Sequence, residues 1–201
     1  MLEGDPHPYS APSASERLFQ GEILSNVVER SVKCTSTAGS AAEFGLVEIT
    51  HPHAVLLTQD CDLLQDANAR QNPDLDSAKR KNSLVPNLVL VVASEFEKTK
   101  GRFNGSEISK RVRQNKEERF QFLSAVPISL DGLKLGVPAL VLDFKRFFTY
   151  PTEEFLQAVK RGEIQRRSRL LTPYAEHLSS RFGYFILRIG LPLDHHDMPA
   201  S

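Results

Sequence analysis

The run Leu88-Val-Leu-Val-Val-Ala93 constrains this chain more than any other stretch. It is too short for an ordinary helix, rich in valine, and apolar at every position. Such a run reads as a strand buried on both faces. Residues 54–58 repeat the pattern, and residues 46–49 form a strand before them, either separate or part of one strand interrupted at Pro52. Further strands are expected over Gly21-Glu-Ile-Leu-Ser-Asn-Val-Val-Glu-Arg-Ser-Val32, over Phe120 to Leu123 and over residues 138–144. Asp131-Gly132, between two apolar runs, marks a hairpin turn.

The C-terminal third changes character. Thr152 before Glu153 and Glu154 opens a helix, and Gly162 ends it. Thr172-Pro173 opens another, with Tyr174, Leu178, Phe182, Phe185, Ile186 and Ile189 at helical spacing, stopped by Gly190 and Pro192. Ser106 is the expected N-cap of a short polar helix to Asn115. Residues 62–84 form a long polar connection, a class often functional or partly helical. Together these predict an α+β chain: a small barrel or strongly twisted antiparallel sheet with added C-terminal helices. The expected organisation is a flexible tail over residues 1–15, one domain over 16–192 and a frayed tail over 193–201. Within the domain, a barrel core covers about 20–148 and a helical layer about 150–190.

Composition narrows the function. No apolar run approaches the ~20 residues that span a bilayer, so no membrane partner is expected. The N-terminus lacks a basic region followed by an apolar stretch, and the only cysteines are Cys34 and Cys61. Both facts point to a cytoplasmic protein with reduced thiols, a Cys34–Cys61 bridge being the alternative. The zero net charge hides a split: residues 1–76 hold four Lys/Arg against twelve Asp/Glu, and residues 77–201 hold twenty-one against thirteen. Either two faces meet different partners, or the halves pack together and neutralise each other.

The segment His51-Pro-His-Ala-Val-Leu-Leu-Thr-Gln-Asp-Cys-Asp62 carries the most chemistry. Two residues apart on a strand, His51 and His53 should share a face. Asp60, Asp62 and Asp66 either bind Mg²⁺ or cap a following turn or helix. The capping reading is carried forward, with no metal and no other cofactor expected. Asp60 and Asp62 then remain candidates for binding a partner. Cys61 reads as a small buried hydrophobe, since the flanking aspartates oppose a thiolate. Lys110, Arg111 and Arg113, with Arg166 and Arg167, are the candidate binding cations. Beside Phe103, Phe120 and Phe122 they would hold single-stranded RNA through phosphate contacts and stacking. Otherwise they are a solvated surface over a core of phenylalanines.

Gly21-Glu-Ile, His51-Pro-His-Ala-Val-Leu-Leu-Thr and Leu88-Val-Leu-Val-Val-Ala-Ser94 together resemble the PemK/MazF-like barrel family over residues 20–103. The resemblance implies an SH3-like barrel, metal-independent cleavage of single-stranded RNA and a protein partner. It places Ser94 at the family's hydroxyl position. Where the family carries its catalytic arginine, this chain has Pro52. A cleaving version would need His51 or His53 as acid and base, with Ser94 nearby. The chain is also similar to small bacterial proteins of mobile-element and phage-defence loci. The leading expectation is a non-catalytic protein-binding or regulatory protein. The alternative is a metal-independent endoribonuclease. A homo-oligomer is compatible with either.

Overall fold

The computed structural model describes residues 7–13, 17–34, 44–99, 101, 103 and 105–187. The small-residue stretch 35–43, the helix stop at Gly190 and Pro192, and the tail 193–201 lie outside them, as does much of the N-terminal tail. In chain order the elements are β1 (Tyr9–Ser10), β2 (Glu22–Cys34), β3 (Phe44–Leu56), α1 (Asp60–Gln71), α2 (Ser77–Ser83), β4 (Asn87–Glu95), α3 (Phe96–Thr99), α4 (Ser106–Arg113), β5 (Phe120–Leu123), β6 (Leu140–Pro151), α5 (Thr152–Lys160), β7 (Gln165–Leu170) and α6 (Tyr174–Ile186).

The strands form one antiparallel sheet in the order β1-β7-β2-β3-β4-β6-β5. The sheet curls into a half-barrel. Its curl brings the two edges together: Tyr9 Oη on β1 donates to the Ser124 carbonyl just past β5, at 2.7 Å. Burial pushes the Tyr9 phenol up to about 12, against the lowering effect of its bond to Ser124, so it remains a donor.

Both faces of the central strands are covered, which explains their unbroken apolar runs. Ile23, Val55 and Val91 enter one core with Phe144, Leu178 and Phe185. Their neighbours Leu24, Ala54, Leu56, Leu90 and Val92 enter a second core with Phe148 and Phe155. On α6, Leu178 and Phe185 are buried while Tyr174 and Ile186 stay exposed, so only part of the expected stripe meets the sheet.

Several expectations are corrected. The C-terminal part is not a helical layer, because β7 runs between α5 and α6 and inserts between β1 and β2. The polar connection 62–84 is helical in large part, as one reading of it expects, and folds mostly as α1 and α2. Asp76 caps α2 by accepting from the Ala78 and Lys79 amides. Strand β3 runs unbroken through Pro52. The N-cap of α4 is Gly105, and Ser106 begins the helix. The acidic and basic halves interleave in one sheet, where Glu22 of β2 pairs with Arg166 of β7. The two halves thus pack together, which is one of the two readings of the charge split.

One junction holds the curl. The β2–β7 register shifts between Ile23 and Leu24, leaving Arg167 as the extra residue of a bulge. The bulge aims Arg167 at Asp131, which takes Nε at 2.7 Å and Nη2 at 2.8 Å, both side chains being buried. Arg167 also donates to the Gly136 carbonyl at 2.9 Å. Gly132 donates to the Arg167 carbonyl at 2.6 Å. A Cβ at Gly132 would stand 2.4 Å from the Arg166 carbonyl, so the Asp-Gly turn docks only with glycine there.

Asp131→Ala leaves the Arg167 cation buried without its partner, and should cost about 3–5 kcal/mol in urea denaturation. The pH dependence follows from the carboxyl, which sits at about 2 in place of its ordinary 3.8. Burial alone raises it, but the Arg167 bonds and the Leu135 and Leu133 amides outweigh burial. The unfolded chain therefore takes up this proton first. The stability from Asp131 is complete above about 4 and is lost as pH falls toward 2. In the Asp131→Ala variant this acid-dependent loss should shrink.

Candidate functional site

A cleft of 440 Å³ lies where the segment before β2 meets α1, α2 and α5. Helix α1 faces it with Leu63, Asp66, Ala67 and Arg70, and α5 with Leu156, Gln157, Val159 and Lys160. Its floor is apolar: Leu18 and Leu63 are buried there, and Leu156 and Val159 pack on the same core. Its rim holds the cations Arg17, Arg70, Arg80, Lys160 and Arg166 against the carboxylates Asp66 and Glu153.

A chain of ion pairs fixes the walls. Arg17 bonds the Asp60 carboxylate at the start of α1, and its guanidinium lies 4.2 Å from the Phe19 ring centre. Asp66 accepts from Arg70 Nε at 2.7 Å, one helical turn on, and from the Val85 amide at 2.9 Å. Arg70 reaches across to Glu153 on α5 at 2.6 Å, and this bond holds the Glu153 carboxyl below the usual range. Arg80 differs from these. Its Nη2 donates to the Asn72 and Pro73 carbonyls at 2.6 and 2.9 Å, so its bonds leave its charge unneutralised.

The histidines lie elsewhere, and they do not share a face. Asn26 has φ +62°, a left-handed conformation in mid-strand, and it faces Pro52 in the β2–β3 ladder. There the side-chain alternation reverses. Val27 and His51 turn to the second core, where the His51 ring lies 5.3 Å from Phe148 and Nε2 lies 2.7 Å from Glu29. Ser25 and His53 turn toward Arg167 and Asp131. The His53 Nδ1 is buried and has no hydrogen-bond partner. Ser94 follows Ala93, the residue opposite His53, and so projects to the other face. It lines a smaller cleft of 140 Å³ with Arg119, Arg146, Phe103 and Phe120. Neither histidine lines either cleft.

The other candidates disperse similarly. Asp60 and Asp62 occupy the first turn of α1. Asp60 is tied to Arg17, and Asp62 is exposed. Cys61 is exposed, correcting its expected burial, and both cysteines are free. Among the described residues, no group of three His, Cys, Asp or Glu side chains could hold a metal ion. Lys110, Arg111 and Arg113 lie on α4, with Arg111 3.4 Å from Glu117 and Arg113 over the Phe96 ring. Arg166 bonds buried Glu22 and the Arg17 carbonyl, while Arg167 bonds Asp131. Of these five cations only Arg166 reaches the large cleft. Phe103, Phe120 and Phe122 pack with Phe96 in a third core.

Arg80 belongs to the basic run Lys79-Arg-Lys81 legible in the sequence, whereas Arg17, Arg70, Lys160 and Leu156 carry no signal there that marks them for a site. The pair Asp66 and Arg70, four apart, was a readable helix signal, but nothing in the order of residues tied it to Glu153. Among the described residues, no helix is long and apolar enough to cross a membrane. Scans of family models, curated proteins and solved structures each find no match to this chain.

Burial first, and then the nearby Arg167 cation, pull the His53 pKa below its ordinary 6.5. In an NMR pH titration, the His53 ring should titrate below that value. Because the unfolded chain binds this proton more readily, His53 contributes stability above 6.5 and loses it as pH falls through its own lower pKa.

Proposed function

We propose that this protein is a non-catalytic binding protein with a regulatory or accessory role, and that its large cleft holds a segment of a protein partner. The observation behind this reading is the cleft's composition, an apolar floor flanked by five cations, of which Arg17, Arg70 and Arg166 are bonded to carboxylates and Arg80 is bonded to carbonyls. A segment carrying Asp or Glu beside Leu or Phe matches both features. The apolar side chain fills the floor and the carboxylates meet the cations. Arg80, bonded to carbonyls, is the cation best placed to receive one.

Catalysis has less support. General acid–base chemistry needs groups that converge within hydrogen-bond reach of one substrate. His53 faces away from His51 and Ser94, and neither histidine lines the cleft that Ser94 lines. The resemblance of residues 20–103 to PemK/MazF-like barrels favours the same reading, since that family binds partner proteins and Pro52 stands where it carries arginine. A cytoplasmic role in a bacterial mobile-element or phage-defence system belongs to this proposal. One observation favours the alternative, a metal-independent endoribonuclease acting on single-stranded RNA: Ser94 lines a cleft with Arg119 and Arg146.

Two assays test the proposal. A pool of single-stranded RNA, with and without EDTA, should survive incubation with the protein. EDTA-resistant cleavage that disappears in a His51→Ala/His53→Ala variant would overturn the reading. Labelled peptides carrying Glu beside Leu should bind in fluorescence anisotropy, and Lys160→Glu should weaken them about tenfold, or about 1.4 kcal/mol. Peptides with Lys in place of Glu should not bind. Equal binding of both sets, or of neither, counts against the cleft.

A further inference from the structure

Strands β2 and β3 outrun their neighbours. β7 pairs with β2 only over residues 22–25, and β4 pairs with β3 only over residues 53–56. Beyond those points, residues 27–34 and 44–51 pair with each other as a two-stranded ribbon. Val32 stands opposite Leu46, and Cys34 opposite Phe44, so these four share one face. Val32, Phe44 and Leu46 are 68, 71 and 66 % exposed, far more than residues of their type usually are. A ribbon of two strands is marginal in water on its own, and its edges, unpaired among the described residues, invite a further strand.

We propose that the occupant is a second copy of this chain, paired antiparallel through β2 about a two-fold axis at Ser31. This surface is independent of the cleft. The charges select both the partner and the register. With the axis at Ser31, Glu29 stands opposite the second copy's Lys33, and Lys33 opposite the second copy's Glu29. Arg30, whose guanidinium bonds Glu48 and Glu154 of its own chain, stands opposite Val32. Moving the axis to Arg30 sets two guanidinium groups against each other. Moving it to Val32 leaves Lys33 facing Ser31. Glu29 can serve both bonds, because His51 Nε2 meets Oε2 and the other oxygen remains for lysine. The product is a four-stranded ribbon in the order β3-β2-β2-β3. Its strand count meets what an independent sheet requires, and its two-fold symmetry closes it.

Sedimentation equilibrium on the full chain tests this. The wild-type protein should dimerise. Lys33→Glu and Glu29→Lys should each weaken the dimer about tenfold or more, because each places like charges opposite one another twice. An equimolar mixture of the two variants should recover the dimer mass, since the mixed pair restores both opposite-charge contacts. Should Glu29→Lys fail to fold for want of its His51 bond, Ser31→Cys decides the register. In a chain also carrying Cys34→Ser and Cys61→Ser, air oxidation should link Ser31→Cys chains across the axis. Lys33→Cys chains, whose thiols would lie about 13 Å apart along the strands, should stay unlinked. A monomeric wild-type protein overturns the proposal. So does a dimer indifferent to Lys33→Glu, a mixture that fails to recover, or the reverse pattern of crosslinks.

Discussion

The buried bond between Asp131 and Arg167 is the interaction on which the curl of the sheet depends. It joins the turn between β5 and β6, one edge of the sheet, to β7, near the opposite edge. Two charged groups inside a protein tolerate burial only when nearly every lone pair and proton is matched. Here the match is dense. Asp131 takes both guanidinium contacts and two backbone amides, and Arg167 gives a further proton to Gly136. The bulge that creates Arg167's direction and the glycine that lets the turn approach are parts of one device. The Tyr9–Ser124 bond fastens the same two edges from another side.

Below that fastening, the two cores share the work differently. One lies against α6 and includes Tyr9, whose hydroxyl joins the sheet edges. The other sits beneath α1 and α5, and its outer boundary is the ion-paired wall of the large cleft. The cleft is thus the place where apolar packing stops and charge pairing takes over. Arg70 ties its two helical walls, α1 and α5, to each other, and the segment before β2 closes a further side.

What the residues alone reveal varies with the physics behind each element. β4 and the inner part of β3 are legible because both faces are covered and their sequences are apolar throughout. α5 is legible from its acidic first turn, its closing lysine and Gly162, whose φ of +72° suits the residue after a helix. β7 is not. Gln-Arg-Arg-Ser-Arg-Leu looks like a solvated surface, and its burial is licensed by Glu22 and Asp131, remote in sequence. The shared face expected for His51 and His53 assumes an unbroken two-residue period, which the left-handed Asn26 opposite Pro52 interrupts. The cleft escapes detection because its rim is gathered from positions between 17 and 166, with no local motif.

The pairing of Glu22 with Arg166 has a consequence for how the chain is made. Glu22 is fully buried, and burial pushes its carboxyl up against the lowering effect of Arg166. Its partner lies 144 residues later. On the ribosome, most of the sheet is synthesised before the strand that flanks β2 exists. β2 must wait with one edge open and an acidic group at a position that later becomes interior. Long-range closure of this kind slows folding and extends the time during which strand edges are exposed.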